Sequence, residues 1–185
     1  MANIIEALTK DHREVEELFT EIDATTDPGR RRELADQMTA ELIRHSVAEE
    51  EYLYPTVKKH VPGGEQLADK EIEEHAEVEK ALKNLESLDG DDPAFMTTFR
   101  TVRDDVLEHV QEEENELFPQ LAQHCGASDL DELGTKVDQA KKISPTRPHP
   151  SAPDTPPLNK LLGPGAGLVD RLRDKLSGRS TEPGE

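Results

Sequence analysis

Residues 45–55 read HSVAEEEYLYP and residues 109–119 read HVQEEENELFP. Both follow the frame His-x-x-x-Glu-Glu-x-x-Leu-(Tyr/Phe)-Pro. At about 100° per residue, helical positions four apart lie about 40° apart around the axis. His45 and Glu49 therefore project from one face, and so do His109 and Glu113. An imidazole and a carboxylate one turn apart can hold one metal ion, or one can ligate while the other bridges to a second ion. One such pair arises by chance in a charged helix. Two pairs in matched frames are a far stronger signal.

The matching extends upstream. Asp11-His12 opens DHREVEELF and Glu74-His75 opens EHAEVEKAL, at an offset of 63 residues. His45 and His109 are offset by 64, and Asp27-Pro28 and Asp92-Pro93 by 65. Self-similarity of this kind takes precedence over local readings. The chain is two copies of a helix–turn–helix unit, and two αα-hairpins set face to face make an all-α, up-down-up-down four-helix bundle.

Apolar residues at steps of three and four predict the helices. Helix one spans about 3–24, with Ile5, Leu8, Val15, Phe19 and Ile22 inward and His12 in the same stripe. Helix two spans about 28–59, capped by Asp27 with Pro28 at the first position and interrupted near Tyr54 by Pro55. Helix three spans about 65–88, with Ile72, His75, Val78, Leu82 and Leu85 inward. Helix four starts at Asp92-Pro93 and turns Phe95, Phe99, Val102, Val106, His109, Glu113, Leu117 and Leu121 to the core. Residues 129–142 suggest a short extra helix, so 1–143 reads as the bundle domain. Residues 144–157 hold six prolines and no apolar period, the pattern of an extended or disordered linker. Residues 166–178 form a short amphipathic piece with Leu168, Leu172 and Leu176 on one side. The expected organisation of 144–185 is a largely disordered tail.

Composition limits the partners. The chain of 185 residues has 22 Lys+Arg and 41 Asp+Glu; residues 144–185 hold 6 and 5 of these, leaving residues 1–143 at a net of −20. Nucleic acid and anionic membrane both need cationic surface, so neither is expected. No stretch approaches the roughly 20 apolar residues of a membrane span, and the N-terminus lacks the features of a signal peptide. The single Cys125 excludes an internal disulfide and suits a reducing compartment. A cytoplasmic monomer is the expectation.

Each helix places one histidine on its core stripe: His12, His45, His75 and His109. The other three, His60, His124 and His149, fall near turns or in the tail. One core histidine is ordinarily a satisfied polar residue. Four at one level with two glutamates would bury several polar groups and like charges at several kcal/mol each. Metal ions remove that cost by using the lone pairs. Imidazole and carboxylate without thiolate suit iron, manganese or zinc. Six ligands are too many for one tetrahedral zinc, whereas two ions bridged by carboxylates use them all.

The arrangement H…HxxxE…H…HxxxE with the EExxLYP and EExxLFP tails resembles the hemerythrin-like (HHE) domain over about residues 5–125. The resemblance implies a non-haem di-iron four-helix bundle that handles dioxygen, nitric oxide or hydrogen peroxide. It implies iron ligands at His12, His45, Glu49, His75, His109 and Glu113, with the glutamates bridging and an oxo or hydroxo group joining the ions. It points to a di-iron oxidoreductase of oxidative or nitrosative stress defence, supplied by an unidentified electron donor. A reversible dioxygen carrier or sensor and iron storage or delivery are the alternatives.

One feature departs from the family pattern. Oxygen-carrying hemerythrins have a second histidine one turn from the first on helix three, where this chain has Glu71 and Glu79 on either side of His75. The position is then open or filled by an oxygen ligand; Glu71 or Glu79 could supply one, but a solvated acidic face is the expectation for both. Tyr54 pairs with Phe118 in the duplicated frame, which places it inward, whereas the helical wheel sets it about 180° from His45. Pro55 disturbs the local helix, so the repeat is the better guide. Tyr54 is then either a core residue with its hydroxyl bonded near the site or a phenolate ligand in place of the absent histidine. Tyr52, matched to Glu116, should face outward. Glu50 and Glu114 repeat between the copies and are candidates to support the ligands from behind.

Overall fold

The structure, a computed structural model, describes residues 2–153, 155–156, 158–179 and 181, with the side chains of 158, 161 and 162 outside that description. Residues 182–185 of the expected tail also lie outside it. Among the described residues there are helices and no strands. Helix α1 (Ile4–Ala24) is held at its start by a capping box in which Asn3 and Glu6 bond each other's backbone N–H groups. Helix α2 (Pro28–Ala48) is capped by Asp27, which accepts from the Arg30 N–H at 2.7 Å.

The chain then makes one π-helical stretch, Glu49–Leu53, and continues as α3 (Tyr54–His60). The second copy repeats the sequence of events. Helices α4 (Gly64–Glu86) and α5 (Phe95–Glu112) are followed by a π stretch at Glu113–Leu117 and by α6 (Phe118–His124). Each proline, Pro55 and Pro119, lacks the N–H that would close an α turn. The backbone widens before it, so that the Tyr54 N–H bonds Glu49 O and the Phe118 N–H bonds Glu113 O, five residues back. The wider turn sweeps less angle per residue than an α turn. This explains why the wheel at 100° per residue misplaces Tyr54: it is fully buried, inward as the repeat requires. Helix α5 begins at Phe95 rather than at Pro93, with Asp92 bonding the Ala94 N–H at 2.7 Å.

The apolar core falls into two slabs. One holds Phe19, Ile22, Leu34, Met38, Leu82, Leu85, Phe95 and Phe99 at the ends joined by the interhelical loops. The other holds Ile4, Leu8, Leu53, Val57, Leu117, Phe118 and Leu121. Between them lies the layer of histidines and glutamates. Helix α7 (Ala127–Lys141), fifteen residues long, packs on α1 and α2 and adds Leu130 and Val137 to the second slab.

After α7, residues 144–153 form no helix but make specific bonds. Arg147 reaches Glu86 at 2.7 Å and Asp174 at 2.8 Å, and the His149 N–H donates to Glu79 at 2.7 Å. Helix α8 (Leu158–Ser177) is longer than the amphipathic period suggests. It turns Asp170 and Asp174 toward the body and leaves Leu168, Leu172 and Leu176 exposed.

Gly90 lies where the second interhelical loop crosses the start of α2. A Cβ there would stand 1.9 Å from Pro28 O, a clash that only backbone movement can relieve. Gly90→Ala is expected to lower stability by about 1–3 kcal/mol, the usual cost of forced overpacking, read as a reduced urea midpoint with an unchanged slope.

Candidate metal centre

Four imidazoles meet at the middle of the bundle, one from each of α1, α2, α4 and α5. The Nε2 atoms of His12 and His45 stand 3.2 Å apart, and those of His75 and His109 also stand 3.2 Å apart. Glu49 and Glu113, at the first residue of each π stretch, have no exposed surface. Glu49 Oε1 lies 3.0 Å from His45 Nε2 and its Oε2 lies 3.3 Å from His75 Nε2. Glu113 Oε2 lies 3.4 Å from His12 Nε2 and 3.8 Å from His109 Nε2. Each carboxylate thus spans both histidine pairs.

The outer nitrogens are equally ordered. His12 Nδ1 meets Glu114 at 2.8 Å, His45 Nδ1 meets Asp11 at 3.3 Å, and His75 Nδ1 meets Glu50 at 3.3 Å. His109 Nδ1 meets Glu71 at 2.9 Å and Glu74 at 3.1 Å. A carboxylate on each Nδ1 fixes the ring and leaves its Nε2 lone pair aimed inward. Three of these carboxylates are themselves held by cations: Asp11 by Lys141, Glu74 by Lys70 and Glu114 by Arg13.

The charges respond to this crowding. Burial alone would lower the His45 pKa, but Glu49 and Asp11 outweigh it and hold it up to about 10. Burial opposes ionisation of Glu49, yet His45 and then His75 hold it well below the ordinary carboxylate value. Burial and then the Glu49 charge raise Glu113. His109, followed by Lys70, keeps Glu74 ionised with a pKa of about 2.

Both Glu49 oxygens and Glu113 Oε2 are buried without a hydrogen-bond partner. Unpartnered carboxylate oxygens facing convergent Nε2 lone pairs need positive charge between them. His12, His45, Glu49 and Glu113 each offer a ligand atom within 4.8 Å of the others, and so do Glu49, His75 and His109. The donor set fits metal ions, and the two groups share Glu49. An apolar cavity of about 20 Å³ adjoins the four histidines, walled by Val15, Leu42, Val78, Val106 and Val110.

The six ligand positions expected from the repeat are therefore together in space. Glu50 and Glu114 sit behind His75 and His12. Tyr54 completes the layer: its hydroxyl lies 3.0 Å from His75 Nε2 and donates to Glu113 Oε1 at 3.2 Å. Burial, then Glu113 and Glu49, push this hydroxyl well above its ordinary pKa, so without metal it is a neutral phenol. Its counterpart Phe118 stacks on His12 at 5.8 Å.

Glu71 corrects the sequence reading. It is buried, not solvated, and its contact is with the outer nitrogen of His109. Glu79 is half-buried and bonds the tail. Tyr52 is half-buried beneath the Lys160 ammonium, 4.0 Å from the ring centre. Asp11, Glu74, Lys70 and Lys141 were not singled out as supporting residues. The matched acids preceding His12 and His75 carried the signal for the first two; Lys141 comes from α7 and has no signal in the repeat.

The chain belongs to the hemerythrin HHE cation-binding domain family, whose model matches residues 3–121. It is 30% identical over 177 residues to an uncharacterised hemerythrin-like protein of Schizosaccharomyces pombe, covering 95% of this chain and 87% of that one. It is also 30% identical over 139 residues to a DNA nickase of Nostoc sp., covering 75% of this chain but spanning only 39% of that protein. The crystal structure of an HHE cation-binding domain-containing protein from Mycobacterium kansasii shares the fold, with a TM-score of 0.67 and 24% identity over 77% of this chain and 86% of that one.

Glu50→Ala and Glu114→Ala each remove the acceptor on one ring. Each is expected to weaken metal affinity by about 10- to 100-fold, measured by competition with a chromophoric chelator.

Proposed function

We propose that residues 1–143 hold two non-haem iron ions, ligated by His12, His45, Glu49, His75, His109 and Glu113, with Tyr54 supplying an oxygen ligand in place of the absent histidine. The observation that carries this reading is the pair of ligand groups sharing Glu49. One tetrahedral ion would leave ligands over, whereas two ions need a bridge, and Glu49 and Glu113 both span the histidine pairs. Donors limited to nitrogen and oxygen fit iron. The one thiol, Cys125, is buried in the second apolar slab.

The proposed activity is reaction with small oxidants or diatomics — hydrogen peroxide, nitric oxide or dioxygen — as an oxidoreductase fed by an electron donor. Bound iron would supply the electrons and an open position for such a molecule. The chain's part is to hold and shield the site. The valine-walled cavity gives the site a mainly apolar approach, and the outer carboxylates keep every Nε2 aimed inward. Tyr54, touching both His75 and Glu113, can keep its proton and donate it as a hydrogen bond, or lose it to act as an anionic ligand. An anionic ligand favours the ferric state, which disfavours reversible oxygen carriage. A net charge of −19 offers no general cationic surface for DNA. No described helix is long and apolar enough to cross a membrane.

Purified protein is expected to contain close to two irons per chain, and chelation to lower its melting temperature, because metal binding is coupled to the folded state. One zinc per chain from iron-replete cells would reject the reading. Tyr54→Phe keeps the ring and removes only the oxygen. It is expected to abolish tyrosinate-to-iron absorption and make reduction easier while leaving the fold intact. An unchanged spectrum and potential would assign Tyr54 to packing.

A further inference from the structure

A second cavity, about 90 Å³, lies outside the bundle and beneath the tail. Ile43, Val47 and Leu82 supply its floor from α2 and α4; Pro145, Pro153 and Ala166 supply its roof. The roof is fastened. Arg147 ties Glu86 to Asp174, and His149 contacts Asp170 at 2.8 Å while its N–H holds Glu79. Helix α8 crosses the chain after α7 so closely that a Cβ on Gly167 would stand 2.3 Å from Ile143 O. The family match ends at residue 121, but the likeness to the Schizosaccharomyces pombe protein covers 95% of the chain and so extends into the tail.

The cavity adjoins the metal site. Ser46, His75 and Val78 line both this chamber and the small cavity over the four histidines. The two cavities therefore share these side chains as a common wall. The ionic groups at the chamber's edge are engaged with one another: Arg147 with Glu86 and Asp174, His149 with Asp170, and Glu50 with His75. Glu79 accepts from the His149 N–H, so each ionic group of the described lining has a partner, and the remaining surface is mainly carbon. A cavity of about 150 Å³ in a protein core admits benzene, so this one suits anything from a diatomic gas to a body of a few carbons.

We propose that the tail-roofed chamber binds a small, uncharged, apolar molecule and passes it between Ser46 and Val78 to the four-histidine cavity. Binding in the chamber stands by itself; delivery rests on the di-iron reading above. Hydrogen peroxide would lose its hydration in such a lining, so the chamber favours an apolar diatomic over peroxide.

Xenon fills apolar cavities without needing a metal. In crystals of the full chain under xenon pressure, density is expected in the chamber of the wild type and not in Ala166→Trp, with equal metal content in both. An empty wild-type chamber under xenon would overturn the binding claim, whatever the metal proves to be. In stopped flow, Ala166→Trp is expected to slow nitric oxide binding to the reduced protein by about threefold or more, as a narrowed access route would, and to leave the rate with hydrogen peroxide unchanged. Equal nitric oxide rates, with xenon excluded, would overturn delivery. Ala152→Trp at the chamber mouth carries the same kinetic test should Ala166→Trp fail to fold.

Discussion

Two carboxylates with no exposed surface sit among four imidazoles whose Nε2 atoms point at one another. The rest of the bundle is arranged around that demand for positive charge. An uncompensated buried ion costs several kcal/mol, and a domain's whole stability is about 5–15 kcal/mol. Left bare, this layer would consume most of it. In the metal-free chain protons partly meet the demand: Glu49 and Asp11 raise His45 against its burial, and burial with the Glu49 charge raises Glu113. Cations meet it with better geometry. The apolar slabs above and below keep water from doing so, and the ring of outer acids backed by Lys70, Lys141 and Arg13 keeps the imidazoles from turning away.

Most of this was legible in the chain. The duplicated frame gave the hairpin pairing, the helix order and the inward faces, because a repeat constrains two copies at once. It also placed Tyr54 correctly where the helical wheel did not, since the wheel assumes a constant angle and Pro55 forces a wider turn. What sequence missed lies where the copies differ or where neither copy contributes. Glu71 corresponds to Leu8 in the first copy, so no matched partner marked it as buried. Lys141 reaches Asp11 from α7, outside the repeat. The contacts of Arg147 and His149 are invisible to composition, which sees only the prolines around them.

Two of the differences between the copies reach the site. Tyr54 against Phe118 and Glu71 against Leu8 both fall on the His75–His109 side. The other side keeps an apolar ring stacked on His12. A centre built by duplication has thus become two unlike halves, one richer in oxygen donors and negative charge. Any ions held there would meet unequal surroundings.

Glu50, in the first copy, orients His75 in the second; Glu114, in the second, orients His12 in the first. Duplication commonly releases one copy to drift while the other keeps the task. Here the supports are exchanged across the halves, so a carboxylate lost from either copy loosens a ring in its twin. Neither half can become redundant. The copies differ at most other positions, yet this exchange holds them matched at the carboxylates behind the rings.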